Sequence, residues 1–95
     1  MMNLTIRKAT PEDADCLFTL AKEFATSFEP VRQAFDNSLA HLFPDESASL
    51  EVAEVSGQVV GYCLGFDHFA FYANGRVSWV EEITVRLDFR HNGIG

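Results

Sequence analysis

The sequence predicts an α/β fold, a mixed, mainly antiparallel sheet with flanking helices, in the order β-α-α-β-β-β. Three observations carry this reading. Runs near the start and in the second half of the chain have the apolar patterning of strands. Two stretches between them repeat apolar residues at helical spacing. Two dipeptides, Ser56-Gly57 and Asn74-Gly75, have the chemistry of tight hairpin turns.

Leu4-Thr5-Ile6-Arg7-Lys8-Ala9 alternates apolar and polar side chains and reads as the first strand. Thr10-Pro11-Glu12-Asp13 then starts a helix, with a hydroxyl at the N-cap, proline at the first helical position and acids facing the positive dipole end. Leu17, Leu20, Ala21, Phe24 and Phe28 form its buried stripe, and Glu29-Pro30 ends it. A second helix is expected over about 31–42, with Val31, Ala34, Phe35, Leu39 and Leu42 on one face. Phe43-Pro44-Asp45-Glu46-Ser47 is a loop by its proline and polar cluster. A strand over 50–55 turns at Ser56-Gly57 into a nearly continuous apolar strand over 59–66, expected to be covered on both faces. Asn74-Gly75, read as a two-residue hairpin, leads into a last strand over about 77–85. The chain has no internal repeat and no low-complexity tract.

Ninety-five residues allow one small domain, and 47% apolar with 13% aromatic residues suits a packed core. Cys16 and Cys63 both lie in apolar patterns and read as buried, reduced thiols rather than a disulfide framework. The net charge of −7 argues against nucleic acid and anionic membranes as partners and is compatible with a cationic substrate. No apolar run has the length of a membrane span and the N-terminus lacks signal-peptide chemistry, so a cytoplasmic protein is the expectation. His41 and His68 have no partner at metal-ligand spacing, and no metal is expected.

The informative segment is Val80-Glu81-Glu82-Ile83-Thr84-Val85-Arg86-Leu87-Asp88-Phe89-Arg90-His91-Asn92-Gly93-Ile94-Gly95. A strand ends at Val85, and a loop with Gly93 and Gly95 follows, where backbone N–H groups can approach an anion without a Cβ in the way. A helix starting next would add its dipole to the attraction. Arg86, Arg90 and His91 make this the cationic cluster of an acidic chain, so a phosphate-bearing ligand is the natural partner.

This segment resembles motif A of the GCN5-related N-acetyltransferases, a strand followed by Arg/Gln-x-x-Gly-x-Gly/Ala and a helix; here Arg90-x-x-Gly93-x-Gly95 follows Val85 by five residues. Leu87 departs from the proline common there. The order of elements agrees with that family's first four strands and two helices, so the resemblance implies a truncated acyl-CoA N-acyltransferase fold, with residues 1–95 as the N-terminal part of one acetyltransferase domain. It further implies that acetyl-CoA is the co-substrate. The backbone of Ile83, Thr84 and Val85 would pair with its pantetheine arm, and Arg90, His91, Asn92, Gly93, Ile94 and Gly95 would cradle its pyrophosphate. The reaction implied is direct attack of a small-molecule primary amine on the thioester, which needs a base and a donor for the developing oxyanion.

Glu81 is the candidate catalytic base. Counted along a regular strand it shares parity with Trp79, Ile83 and Val85, which places its carboxylate on an apolar face, unless a bulge turns it to solvent. Glu82, of opposite parity, reads as a solvated or substrate-binding acid. Phe28, Glu29, Phe35 and Asp36 lie where the resemblance puts the acceptor pocket, and Phe69, Phe71 and Tyr72 near a hairpin that could wall it or meet a second subunit. The acidic pair leans toward polyamine-like or aminoglycoside-like acceptors. The rival expectation is a catalytically silent domain that binds coenzyme A weakly or only pairs with other chains. An apolar edge at the last strand predicts either a homodimer that covers it or a longer native chain, the second favoured because the motif is cut where its helix should begin.

Overall fold

The computed structural model describes residues 3–25 and 29–90. Six main elements follow the expected order: β1 (Leu4–Lys8), α1 (Ala14–Phe24), α2 (Arg32–Leu42), β2 (Ala48–Val55), β3 (Gln58–Ala70) and β4 (Gly75–Val85). The strands form one sheet in the order β1-β2-β3-β4, and every pairing among the described residues is antiparallel.

Proline cannot supply an interior helix amide, so the chain enters α1 through a 3-10 turn at Pro11–Asp13. The Asp13 carboxylate accepts the Thr10 backbone N–H at 2.8 Å, the reciprocal half of a capping box. The same carboxylate takes two bonds from Arg7, both at 2.9 Å, and Arg7 also donates to Glu54 on β2 at 3.0 and 3.1 Å. One guanidinium thus ties β1, the entry to α1 and β2 together. Its hydrogen bonds hold the buried Asp13 carboxyl below the usual carboxylate range, against the opposing effect of desolvation.

Both helices pack on one face of the sheet. Leu17 and Leu20 of α1, Leu39 of α2, and Val52, Val59 and Tyr62 of the sheet form the main core, with Phe35 and Leu50 packed against it. Ala53, Val55 and Val60 lie in a second cluster with Phe89. Val60 has no opposite number on β2: the register runs from Ala53↔Gly61 to Glu54↔Val59. This extra residue resets the alternation, so Val59 and Tyr62 join one cluster while Val60 joins the other. Cys16 is exposed beside the stripe and Cys63 is half-buried; both are free thiols, so the expected burial of the cysteines does not hold.

The two hairpins differ. Ser56 and Gly57 both have positive φ, 52° and 85°, and Val55 pairs directly with Gln58, which is the expected two-residue turn. The second hairpin is longer than expected. Ala70 pairs with Gly75, and the chain between them makes a 3-10 turn at Phe71–Ala73 before Asn74 takes the left-handed conformation that closes it. Only Asn74 of that dipeptide has positive φ, so the turn is not of the two-residue kind.

Gly61 is required by the closeness of β3 and β4. A Cβ there would lie 2.8 Å from the Thr84 carbonyl oxygen, a contact relieved only by moving β4. Gly61→Ala is therefore expected to destabilise the chain by about 1–3 kcal/mol, the usual cost of overpacking, seen as a lower urea midpoint. An unchanged midpoint would show that the strands separate freely.

Candidate active site

β4 is the outer strand of the sheet among the described residues, and its C-terminal half carries the candidate chemistry. The Arg86 N–H donates to the Val60 carbonyl at 2.7 Å, which fixes the phase of the ladder. Alternation in an antiparallel pair then turns the peptide groups of Thr84 toward β3 and those of Ile83 and Val85 toward the open edge. Thr84 is buried. Of the three residues expected to meet an extended ligand through their backbone, Ile83 and Val85 are the two that face it. Arg90 Nε donates to the Val85 carbonyl at 2.8 Å, folding the start of the following loop back onto this edge. Arg86 is held by Asp88 at 2.7 Å and lies over the Phe89 ring.

Beside this edge β4 bulges. Leu64 pairs with Glu82 and Gly65 with Val80, which leaves Glu81 without a partner on β3. The extra residue breaks the parity on which the sequence reading of Glu81 rested. Ile83 and Val85 face a shallow depression with Ile6, Gly61 and Cys63. Glu81 and Glu82 both line a cavity on the helix-bearing face. Glu81 is exposed rather than sunk in an apolar face, and Glu82, expected on the opposite face, is the more covered of the two. The physical cause is the bulge, which lets two consecutive residues oppose one.

The cavity has a volume of about 510 Å³. Leu17, Ala21 and Phe24 of α1, Ala34, Phe35, Ser38 and Leu39 of α2, and Leu50, Tyr62 and Leu64 of the sheet contribute to its wall. The Tyr62 hydroxyl donates to Glu82 Oε1 at 2.7 Å. Burial, and then the neighbouring carboxylate, push the Tyr62 phenol well above its ordinary range. It therefore stays protonated and acts as a fixed donor that orients Glu82. Sequence reasoning missed Tyr62, and its only signal there is a phenol inside the apolar run of β3.

Other sequence candidates are dispersed. Phe35 lines the cavity, whereas Glu29 is exposed and does not. Asp36 is exposed and pairs with Arg32 at 2.9 Å. Phe69 and Phe71 sit with Ala70, Asn74 and Gly75 around a separate depression at the second hairpin, and Tyr72 is exposed there. His41 meets the Asn37 carbonyl and His68 packs edge-on against Trp79; no cluster with metal-ligand composition occurs among the described residues. Phe28, His91, Asn92, Gly93, Ile94 and Gly95 lie outside the described residues. No helix among the described residues is long and apolar enough to cross a membrane.

No family model matches the sequence, and no curated protein matches it. Solved structures do. A possible acetyltransferase from Clostridium difficile 630 superposes with a TM-score of 0.84 at 22% identity, over 96% of this chain and 62% of that one. Ribosomal-protein-alanine N-acetyltransferase from Brucella melitensis biovar Abortus 2308 gives 0.74 at 26% identity, over 96% and 62%. AAC(6')-Iy, in complex with the bisubstrate analogue CoA-S-monomethyl-acetylneamine, gives 0.80 at 16% identity, over 97% and 63%. The chain spans about three-fifths of the length of these proteins. Four antiparallel strands in sequence order, two helices on one face and a bulged outer strand together make this the fold of the GCN5-related N-acetyltransferases.

Proposed function

We propose that the chain carries the acceptor cavity and donor-facing strand of an acetyl-CoA-dependent N-acetyltransferase acting on a primary amine of a small molecule. The observation that carries this is the bulge of β4. It presents Glu81 and Glu82 at the wall of an apolar cavity, immediately before the residues whose peptide groups face the open edge. The fold likeness supports the same reading.

The edge suits the donor. A pantetheine arm is an extended chain with two amide groups, and the open edge offers it the N–H and C=O of Ile83 and the N–H of Val85, whose carbonyl is taken by Arg90. Acetyl-CoA would supply the acetyl group as a thioester: the amine nitrogen forms the new carbon–nitrogen bond, the carbon–sulfur bond breaks, and coenzyme A leaves as a thiol with the proton the nitrogen gives up. The residues of this chain prepare and hold the amine. Glu81, exposed at the bulge, takes a proton from the incoming ammonium and leaves a neutral amine. Glu82, oriented by Tyr62, holds the amine end of the acceptor. Thiol release on mixing the protein with acetyl-CoA and a panel of primary amines tests the proposal. Acetyl-CoA that neither binds nor is consumed with any acceptor removes it.

The loop over 90–95 is the proposed pyrophosphate cradle. Gly93→Val, which adds a branched side chain where the backbone must approach the phosphates, is expected to weaken acetyl-CoA binding at least tenfold by calorimetry, by analogy with other glycine-built anion sites. Equal affinity in this variant would detach the loop from the donor.

A further inference from the structure

The shape and lining of the cavity also distinguish among amines, and this step rests on the transferase reading above. Among the described residues, apart from Ser38, the Tyr62 hydroxyl and the two carboxylates, the lining is aliphatic or aromatic, and no cationic side chain contributes to it. Its rim is apolar as well: Phe24 is 45% and Val31 64% exposed. Exposed apolar surface continuous with a concave apolar site is the usual mark of a ligand surface. At about 510 Å³ the cavity falls in the range of small-molecule sites.

We infer that the acceptor is a monoamine with an apolar body, of the arylalkylamine or alkylamine kind, rather than a polycation or an amino sugar. One ammonium group meets Glu81 and Glu82, and the hydrocarbon body lies against Leu17, Phe35 and Leu39. With Glu81 and Glu82 side by side at one end and engaged by one ammonium, the further ammonium groups of a polyamine would lie along described walls that are aliphatic or aromatic, and a charge taken from water without a partner is strongly disfavoured. The hydroxyls of a sugar would find almost no hydrogen-bond partners there, which penalises them in the same sense. Tyr62 sharpens the selection. By occupying Oε1 of Glu82 it leaves the second oxygen as the acceptor for the ammonium, a single oriented site for one charge.

Calorimetry on the whole protein without acetyl-CoA tests this with three probes: phenethylamine, its neutral analogue 2-phenylethanol, and spermidine. Phenethylamine is expected to bind at least tenfold more tightly than either. Glu82→Gln should bring it to the level of the alcohol. Ala34→Trp, at an exposed helical position that lines the cavity, should abolish binding without altering the thermal midpoint. Spermidine binding as tightly as phenethylamine, or phenethylamine binding undiminished by Ala34→Trp, would overturn the inference. The transferase reading fails separately. Acetyl transfer to spermidine or an amino sugar with phenethylamine ignored sinks this inference alone, whereas loss of all acetyl-CoA binding sinks the reading beneath it.

Discussion

Glu81→Gln is expected to lower turnover by ~10²–10⁴-fold at neutral pH, the usual contribution of a general base, with little change in affinity for acetyl-CoA. The amide keeps the size of the side chain and its place on the bulge, so neither the strand nor the cavity should change. Glu82→Gln should behave differently: its loss should fall on KM, because in the proposed mechanism Glu82, oriented by Tyr62, holds the amine and does not take its proton. That split distinguishes a base from a merely acidic rim. A decrease below about threefold for Glu81→Gln would instead mean that water carries the proton away, and a kcat loss in Glu82→Gln as large as that of Glu81→Gln would exchange the two roles.

Asp13→Ala is expected to destabilise the chain strongly although it touches no apolar core residue. It removes one of the two carboxylates that hold Arg7, at a site where the Asp13 carboxylate is 8% and the guanidinium 34% exposed. Glu54 still faces Arg7 and a third of the guanidinium remains in contact with water, but the change also takes the acceptor from the Thr10 N–H at the start of α1, so about 2–3 kcal/mol is the expected loss. For a chain of this length that corresponds to a fall in Tm of roughly 10–20 °C. The same pair sets the acid limit. The Asp13 carboxyl is depressed in the folded state by the Arg7 hydrogen bonds, so its contribution is complete above the ordinary carboxylate pKa of ~3.9 and is lost as pH falls through the lower, folded value. Thermal melts should therefore show a plateau above about pH 5 and a decline below about pH 4 that is shallower in Asp13→Ala. An identical acid decline in both proteins would assign acid sensitivity to other carboxylates.

Much of the fold was legible because the two periodicities are clean. Leu17 and Leu20 mark the inward stripe of α1, Leu39 that of α2, and Ser56-Gly57 announces its turn by residue type. The outcome at Asn74-Gly75 differed because turn chemistry names where a chain can reverse, not how many residues the reversal takes. Phe71–Ala73 form a 3-10 turn with no proline or glycine to signal it. Cys16 shows a similar limit: a residue next to Leu17 in sequence lies about 100° away around a helix, outside the stripe. The site was legible in composition but not in geometry. The pair Glu81-Glu82 drew attention as acids beside an apolar strand end, yet nothing in Val80-Glu81-Glu82-Ile83 reports a bulge. One unpaired residue was enough to carry Glu81 to the face of Glu82, while the bond from Tyr62 to Glu82, on the regular part of the ladder, has no signature in residue type.

The bulge has a consequence for how this protein could be changed. Deleting residue 81 would make Val80 and Glu82 consecutive, opposite Gly65 and Leu64, which are already consecutive on β3. Every other pair in that ladder would keep its partner and its face. The shortened strand would be more regular, so the product is expected to resist heat at least as well as the parent while having lost the proposed proton acceptor. If the deletion variant melts no lower than the parent and has lost acetyl transfer, the proposed chemistry and the regularity of the strand are set against each other at one peptide unit.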